Sequence, residues 1–210
     1  MTTFRYTGEL KVTQRNLPHW EISDGIYFVT FGLQDAVSRH AHKRLQTEYE
    51  RQRRLLDGKN ASPAAYDALS EAYLRENLDE LFHTEIGQCV LRSPEVADIV
   101  WEAIYYFDGI RYDVIAAVIM PNHVHVIFRT LDESWPWARI VGAWKSFTCN
   151  RVHRECDAIL RWQDEAFDRI VRDTDELRRC AQYVLDNPRK AGLERWRWVE
   201  ANGRFFTGLP

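Results

Sequence analysis

The sequence predicts an α+β protein, a ferredoxin-like sandwich in which helices pack against an antiparallel sheet. Apolar runs and helical periodicities follow in the order strand, helices, strand, helix, strand, strand, helix, with a further helix at the end, which matches that fold. Two of the strands, residues 111–119 and 123–129, are separated only by Met120-Pro121-Asn122. Pro and Asn favour turns, so these strands are predicted to form a hairpin. No apolar stretch approaches the roughly 18 residues of a membrane span.

The first half of the chain contains one clear strand and a charged insertion. Residues 25–33, Gly-Ile-Tyr-Phe-Val-Thr-Phe-Gly-Leu, form the first predicted strand. Residues 34–83 are highly charged and are predicted as two inserted helices broken at residues 58–63. Residues 86–91 suggest a short strand. The first inserted helix carries a basic cluster formed by Arg51, Arg53 and Arg54. This cluster is either part of a solvated helix face or a contact for phosphate.

Two helices of the second half are predicted from their start signals and apolar stripes. Ser93-Pro94-Glu95 combines a cap, a first-turn proline and an acid near the positive end of the helix dipole. The side chains of this helix that are expected to face the sheet are Val96, Ile99, Val100, Ala103, Ile104 and Phe107. A second helix is predicted at about residues 136–153. Its side chains that are expected to face inward are Ile140, Val141, Trp144 and Phe147. Residues 160–162 suggest a short edge strand.

Two histidines open the return strand of the hairpin. His123 and His125 are two residues apart, and strand alternation places both imidazoles on one face, roughly 7 Å apart along the backbone. Val124 and Val126 then point into the core. Two imidazoles converging from a rigid strand suit a divalent metal ion. The alternative is a half-buried strand that happens to carry two histidines.

The last predicted helix begins near Asp173 or Thr174, either of which can cap it, with Glu176 in the first turn. Its core-facing stripe is Leu177, Cys180, Ala181 and Val184. Pro188 is expected to disfavour helical geometry at the preceding residue, and Gly192 is expected to close the segment.

A tyrosine and an asparagine share one side of this helix. Tyr183 falls about 110° from the centre of the apolar stripe, and Asn187 lies one turn further on. A tyrosine in this position is either a boundary residue with a solvated hydroxyl or a functional side chain.

The order of short motifs along the chain resembles a known family. The motifs are Phe-Asp-Gly (107–109), Met-Pro-Asn-His-Val-His (120–125), Lys-Ser-Phe-Thr (145–148), Trp-Gln (162–163), Phe-Asp-Arg (167–169) and Tyr-x3-Asn-Pro-x3-Gly-Leu (183–193). This order resembles the REP-associated tyrosine transposases, which are relatives of the single-tyrosine HUH (His-hydrophobic-His) transposases of small bacterial insertion sequences. The resemblance extends from about Gly25 to Leu193. It implies a single HUH transposase-like domain over residues 1–210, with residues 34–83 as a helical insertion and the last helix as the catalytic helix.

The resemblance also implies a chemistry. Tyr183 would attack a DNA phosphodiester and form a 5′-phosphotyrosine, leaving a 3′-OH, and the step could be reversed to join another strand. Mg²⁺ or Mn²⁺ would be held by His123, His125 and Asn187. Asn-Pro could equally serve only to end the helix.

The implied substrate is single-stranded DNA containing REP elements, which are palindromes that fold into hairpins. Lys145, Arg189 and Lys190 flank the motifs and are tentative phosphate contacts, although they could equally be solvated charges. Several tryptophans are interpreted as core or clamp residues, among them Trp135, Trp137, Trp196 and Trp198. We expect a monomer or homodimer in the bacterial cytoplasm, associated with the nucleoid and not with a membrane.

The charge balance argues mildly against a nucleic-acid partner, because the net charge is −3. The distribution is more favourable: residues 139–197 carry 13 Lys/Arg and 10 Asp/Glu, a balance of +3, and the remainder carries −6. Local basic patches can bind phosphate on an acidic protein. The four cysteines show no paired metal spacing, which is typical of thiols in a reducing compartment.

Two other functions remain open from the sequence. One is a replication-initiator or relaxase-like nickase with the same HUH chemistry. The Tyr-x3-Asn-Pro-x3-Gly-Leu motif near the end of the chain disfavours this alternative. The other is a hairpin-DNA-binding protein that has lost its catalytic activity. The presence of His123, His125 and Tyr183 disfavours this alternative.

Overall fold

A five-stranded antiparallel sheet organises the computed structural model, which describes residues 4, 6, 11–14, 18–36, 39–59, 65, 69, 87–164 and 166–206. The strands are β1 (Lys11–Gln14), β2 (Pro18–Glu21), β3 (Ile26–Gly32), β4 (Tyr112–Ile119), β5 (His123–Thr130), β6 (Phe167–Ile170) and β7 (Val199–Ala201). The helices are α1 (Arg39–Gly58), α2 (Pro94–Tyr105), α3 (Trp137–Glu155) and α4 (Thr174–Lys190), with 3₁₀ turns at Val90–Arg92 and Gly203–Phe205.

The main sheet has the strand order β6-β3-β5-β4-β7, and every neighbouring pair is antiparallel. The elements β3, α2, β4, β5, α3 and β6 follow the β-α-β-β-α-β order of a ferredoxin-like fold. The predicted α+β fold is therefore confirmed. β1 and β2 form a separate two-stranded sheet, which the sequence did not predict.

Each face of the main sheet is covered by helices. One face carries Val124, Val126 and Phe128 and packs against α2 and α3 in a single hydrophobic cluster. The other face carries Phe28 and Ile127 and packs against the apolar stripe of α4. Strand alternation assigns the two faces, and it places the two histidines of β5 on the face covered by α4.

The two helices on the first face confirm most of the predicted inward-facing residues. Ile140, Val141 and Trp144 are buried on α3, but the expectation for Phe147 is wrong, because its side chain is 49% exposed. The buried stripe of α3 continues instead through Thr148, whose hydroxyl accepts a hydrogen bond from Trp162 Nε1 at 2.9 Å. Because each helical residue turns by about 100°, a stripe that includes Thr148 leaves Phe147 on the flank.

Two of the predicted strands are wrong. Residues 87–89 are irregular and lead into the 3₁₀ turn, with φ of +98° at Gly87 and +49° at Cys89, and a strand tolerates neither value. The predicted edge strand at residues 160–162 is reduced to a single bridge between Leu33 and Trp162. The edge of the sheet is formed instead by β6, which pairs with β3.

The charged insertion is described in part. α1 confirms its first predicted helix and ends at Gly58, where the break was expected. Most of its second predicted helix lies outside the described residues. Two arginines of the basic cluster make exposed ion pairs within α1, Arg51 with Glu48 and Arg54 with Glu50, as a solvated face would. Within the described ranges, no helix combines the length and the apolarity needed to cross a membrane.

Candidate active site

The two histidines of β5 converge as the sequence predicted. His123 and His125 are 1% and 3% exposed, and their Nε2 atoms are 3.0 Å apart. Their rings meet edge to face, with centroids 4.7 Å apart. Both side chains lie against β3, since Gly32 pairs with His123 and Thr30 with His125.

The other ring nitrogen of each histidine contacts a buried polar side chain. His123 Nδ1 lies 2.7 Å from Asn122 Oδ1, and His125 Nδ1 lies 2.7 Å from Thr30 Oγ1. These contacts fix the orientation of both rings and direct the Nε2 atoms toward each other. Outer partners of this kind commonly orient the histidines of metal sites.

The turn before the histidines is held by hydrogen bonds from three directions, two from the backbone and one from a tryptophan side chain. Met120 N donates to His123 O across the turn, and Leu33 N donates to Asn122 O, each at 2.8 Å. Trp196, in the segment after α4, donates from Nε1 to Ile119 O. The histidine pair is therefore mounted on a constrained backbone, which favours precise ligand geometry.

Helix α4 brings Tyr183 to the histidines. The ring of Tyr183 meets that of His125 at 5.3 Å between centroids and 76° between planes, and it also contacts Phe28 edge to face at 5.9 Å. Tyr183 is half-buried, as its position beside the apolar stripe predicted. The structure thus places the predicted nucleophile, Tyr183, beside the two predicted histidine ligands.

Asn187 is more deeply placed than the sequence indicated, since it is 0% exposed. Its Nδ2 donates to Tyr183 O at 3.1 Å, whereas its buried Oδ1 has no hydrogen-bond partner among the residues that the structure describes. A buried acceptor without a partner costs about 1–3 kcal/mol, which makes this oxygen a candidate contact for a ligand. The expectation that Pro188 removes Asn187 from the helix is wrong: α4 continues to Lys190, and Gly192 closes it with φ of +68°. The burial of Asn187 and its bond to Tyr183 offset the steric preference before proline.

The residues at this site fit a divalent cation. Two ligands on adjacent corners of a six-coordinate ion, each at about 2.1 Å, are about 3.0 Å apart, which is the separation of the two Nε2 atoms. The described part of the chain contains no group of three or more His, Cys, Asp or Glu suited to a metal. Asn187 Oδ1, a buried amide acceptor on the adjacent helix, could serve as a third protein ligand.

The three tentative DNA-contact residues differ in their surroundings. Lys190 Nζ lies 4.8 Å from the centroid of the Tyr183 ring, which places a positive charge beside the site. Arg189 is 81% exposed and makes an ion pair with Asp186. Lys145 Nζ donates to the carbonyl oxygens of Gln163 and Asp164 at 2.9 and 3.4 Å. None of these contacts tests DNA binding, so all three assignments stay predictions.

Sequence reasoning missed two residues that touch the histidines. Thr30 could have been noticed from the sequence, because it is a polar residue within an otherwise apolar strand. Phe28 stacks on His125 at 5.6 Å and gave no signal beyond its hydrophobicity. Trp137 is buried in the core, whereas Trp196 and Trp198 hold the chain after α4 through Ile119 O and Asp98.

The fold and the paired histidines on a central strand define a ferredoxin-like α+β protein whose hairpin carries a His-Val-His sequence. The chain resembles, in its fold, a solved structure described as a REP-associated tyrosine transposase bound to a REP hairpin. The two share 15% sequence identity with a TM-score of 0.53, over 89% of this chain and 82% of that one. No protein-family model and no curated protein matches the sequence.

Proposed function

We propose that the chain is a single-tyrosine HUH transposase of the REP-associated type. It cleaves single-stranded DNA at REP-like hairpins, depends on Mg²⁺ or Mn²⁺, and transfers the strand through a 5′-phosphotyrosine. The observation that carries the proposal is the contact of the Tyr183 ring with His125, whose Nε2 converges on that of His123. The fold shared with a transposase solved on a REP hairpin adds support.

The nucleophile of this reaction is the phenol oxygen of Tyr183. It forms a bond to phosphorus as the bond to the 3′-oxygen breaks, the phenol proton is lost, and the departing oxygen gains a proton to become a 3′-OH. The number of phosphodiester bonds is conserved, so a second 3′-OH can reverse the step and complete strand transfer. A bound divalent cation would polarise the phosphate and stabilise the leaving oxygen.

The side chains around Tyr183 hold it for this attack. Phe28 contacts both His125 and Tyr183 and keeps their rings in a fixed relation. Asn187 donates to the carbonyl oxygen of Tyr183 from the next turn, which stiffens the helix there. Lys190, over the ring, is suited to contact the phosphate that approaches it.

The substrate class follows from the same proposal. A REP-like hairpin presents a duplex stem and unpaired flanking bases, and Lys145, Arg189 and Lys190 are the proposed phosphate contacts. All three lie in the half of the chain with a net charge of +3. The protein would act as a monomer or homodimer on chromosomal DNA in the bacterial cytoplasm.

A comparison of wild type with Tyr183→Phe on a REP-like hairpin oligonucleotide tests the proposal. We expect the variant to bind the hairpin as the wild type does and to cleave it at least a thousandfold more slowly, because it lacks the nucleophile. Tyr106→Phe, at an exposed tyrosine on the opposite face, is the matched control and should cleave normally. Hairpin binding without cleavage by the wild type would instead indicate a DNA-binding protein that has lost its catalysis.

A further inference from the structure

Helix α4, which carries the proposed nucleophile, has basic side chains of two kinds. They are Arg178, Arg179, Arg189 and Lys190. Arg178 forms an ion pair with Asp175 at 3.2 Å. Arg189 pairs in the same way with Asp186 at 3.3 Å. Because each pair adds no net charge to the helix surface, the other two basic residues determine where that surface is positive.

These two cations, Arg179 and Lys190, lie on the side of α4 that carries Tyr183. Both are exposed, and neither makes an ion pair with any residue in the described ranges. At about 100° per residue, Arg179 falls about 40° from Tyr183 around the helix axis and Lys190 about 20°, in the same direction. The two paired arginines fall about 120–140° away. The position of Lys190 Nζ, 4.8 Å from the centroid of the Tyr183 ring, agrees with this placement.

The spacing of the cations along the helix suits a DNA strand. Arg179 lies one turn before Tyr183, about 6 Å along the axis, and Lys190 lies two turns after it, about 10 Å along the axis. The first distance is close to that between neighbouring phosphates of one strand. A strand that lies along α4 with one phosphate at the Tyr183 hydroxyl therefore brings the next phosphate to Arg179.

We propose that Arg179 binds the phosphate next to the one that Tyr183 attacks, in the unpaired strand of the substrate. The proposal rests on the function proposed above. The guanidinium has five N–H donors and no carboxylate to release, so it can receive a phosphate directly. Phosphate contacts determine the register of a protein on DNA without reading its sequence. Arg179 thus helps to determine which phosphodiester faces Tyr183.

The salt dependence of hairpin binding tests this role. A REP-like hairpin oligonucleotide with unpaired flanks is titrated with the full-length protein in EDTA, which prevents cleavage, and fluorescence anisotropy is measured at several salt concentrations. We expect Arg179→Gln to bind about tenfold more weakly than the wild type. The slope of log affinity against log salt should fall by about 0.7, the loss of one single-strand phosphate contact.

Arg178→Gln is the matched control for this experiment. It removes the same charge from the neighbouring position of the same helix, but the arginine it removes is paired with Asp175 and points away from Tyr183. It should keep the affinity and the salt slope of the wild type. Equal losses in the two variants would show a general effect of charge and would overturn the role of Arg179.

A scan with neutral methylphosphonates, placed one at a time in the unpaired strand, identifies the phosphate that Arg179 contacts. At the position next to the bond that the wild type cleaves in Mg²⁺, the replacement should weaken binding by the wild type but not weaken Arg179→Gln further. Equal losses in both proteins at every position, or a partner phosphate several nucleotides from the cleaved bond, would overturn the role of Arg179 alone. Failure of the wild type to bind or cleave the hairpin would overturn the proposed function, and the role of Arg179 with it.

Discussion

The burial of Asn187 is not explained by folding alone. Its Oδ1 is buried and has no hydrogen-bond partner in the described part of the chain, and its helix packs against the strand of the histidines. Stability would favour an apolar side chain of the same shape at this position. Under the proposed function, ligation of a metal ion by Asn187 would offset this cost.

Asn187→Leu is therefore expected to separate stability from metal binding. The variant loses the bond from Nδ2 to Tyr183 O, worth about 1 kcal/mol, and removes an unsatisfied acceptor that costs about 1–3 kcal/mol. The metal-free variant should be as stable as the wild type or more stable in urea unfolding, and its affinity for Mn²⁺ should fall. Destabilisation by more than about 3 kcal/mol would show that Asn187 is a structural residue.

The histidine pair gives the direct test of metal dependence. Alanine at His123 or at His125 should abolish hairpin cleavage in Mg²⁺ or Mn²⁺ while leaving hairpin binding largely intact, as measured by gel shift. His153→Ala is the control, because this histidine is exposed at the end of α3. Full cleavage by the wild type in EDTA would contradict a metal requirement.

The local pattern of the sequence predicted the separate parts of the site but not all of its contacts. Alternation placed His123 and His125 on one face, and helical spacing placed Tyr183 beside the apolar stripe. Thr30 could not be assigned a role, because its contact depends on the register between β3 and β5, which join residues 95 positions apart. The depth of Asn187 likewise depends on how α4 packs on the sheet.

At the scale of elements, α4 is anchored at both ends. At its start, Asp173 Oδ1 accepts from Glu176 N at 2.8 Å, and the Glu176 carboxylate makes a buried ion pair with Arg169 on β6. After its end, the chain returns through Trp196 to the carbonyl of Ile119, next to the histidine turn. The position of Tyr183 relative to His125 is thus determined by contacts made several turns from Tyr183 itself.

Glu176→Gln tests the first of these anchors. The variant leaves Arg169, which is 13% exposed, with one charged partner fewer, and breaking a buried pair in this way costs about 3–5 kcal/mol. Asp175→Asn, one residue earlier, removes an exposed pair with Arg178 and should cost less than about 1 kcal/mol. Urea unfolding of the two variants measures the difference. Equal stabilities would show that the Glu176 pair does not hold the helix.

The elements that sequence analysis missed are short or depend on distant partners. Residues 86–91 look like a strand by composition, but positive φ at Gly87 and Cys89 turns the chain there. β7 has only three residues and exists because it pairs with the open edge of β4. The long elements, with strong periodicity or clear caps, were predicted close to their observed bounds.

At the scale of the whole molecule, the net charge of −3 makes tight binding to DNA in general unfavourable. Under the proposed function, binding of DNA would depend on a local basic surface and on the shape of the DNA. A protein at 15% identity to the chain keeps the same fold over most of both lengths, which shows how little of the sequence the architecture requires. The proposed chemistry would depend on a few positions on β3, β5 and α4.

A preference for hairpin over duplex DNA is expected from this arrangement. Tyr183 lies on a packed helix beside a rigid sheet, so the phosphate has to adapt to the tyrosine, and a single strand can do so more easily than a duplex. Cleavage of a fully duplex oligonucleotide of the same sequence should be much slower than that of the hairpin, measured under the same conditions. Equal rates on both substrates would favour a nickase of the replication-initiator or relaxase type.

The identity of the atom that joins the DNA tests the central claim most directly. After reaction with a REP-like hairpin oligonucleotide in Mg²⁺ or Mn²⁺, the protein is digested and its peptides are examined by mass spectrometry. The expected result is a 5′-phosphonucleotide adduct on the peptide that contains Tyr183, absent in Tyr183→Phe, whose fold should be unchanged because a single half-buried hydroxyl contributes within about 1 kcal/mol. An adduct on any other residue, or cleavage by Tyr183→Phe at the wild-type rate, would contradict it.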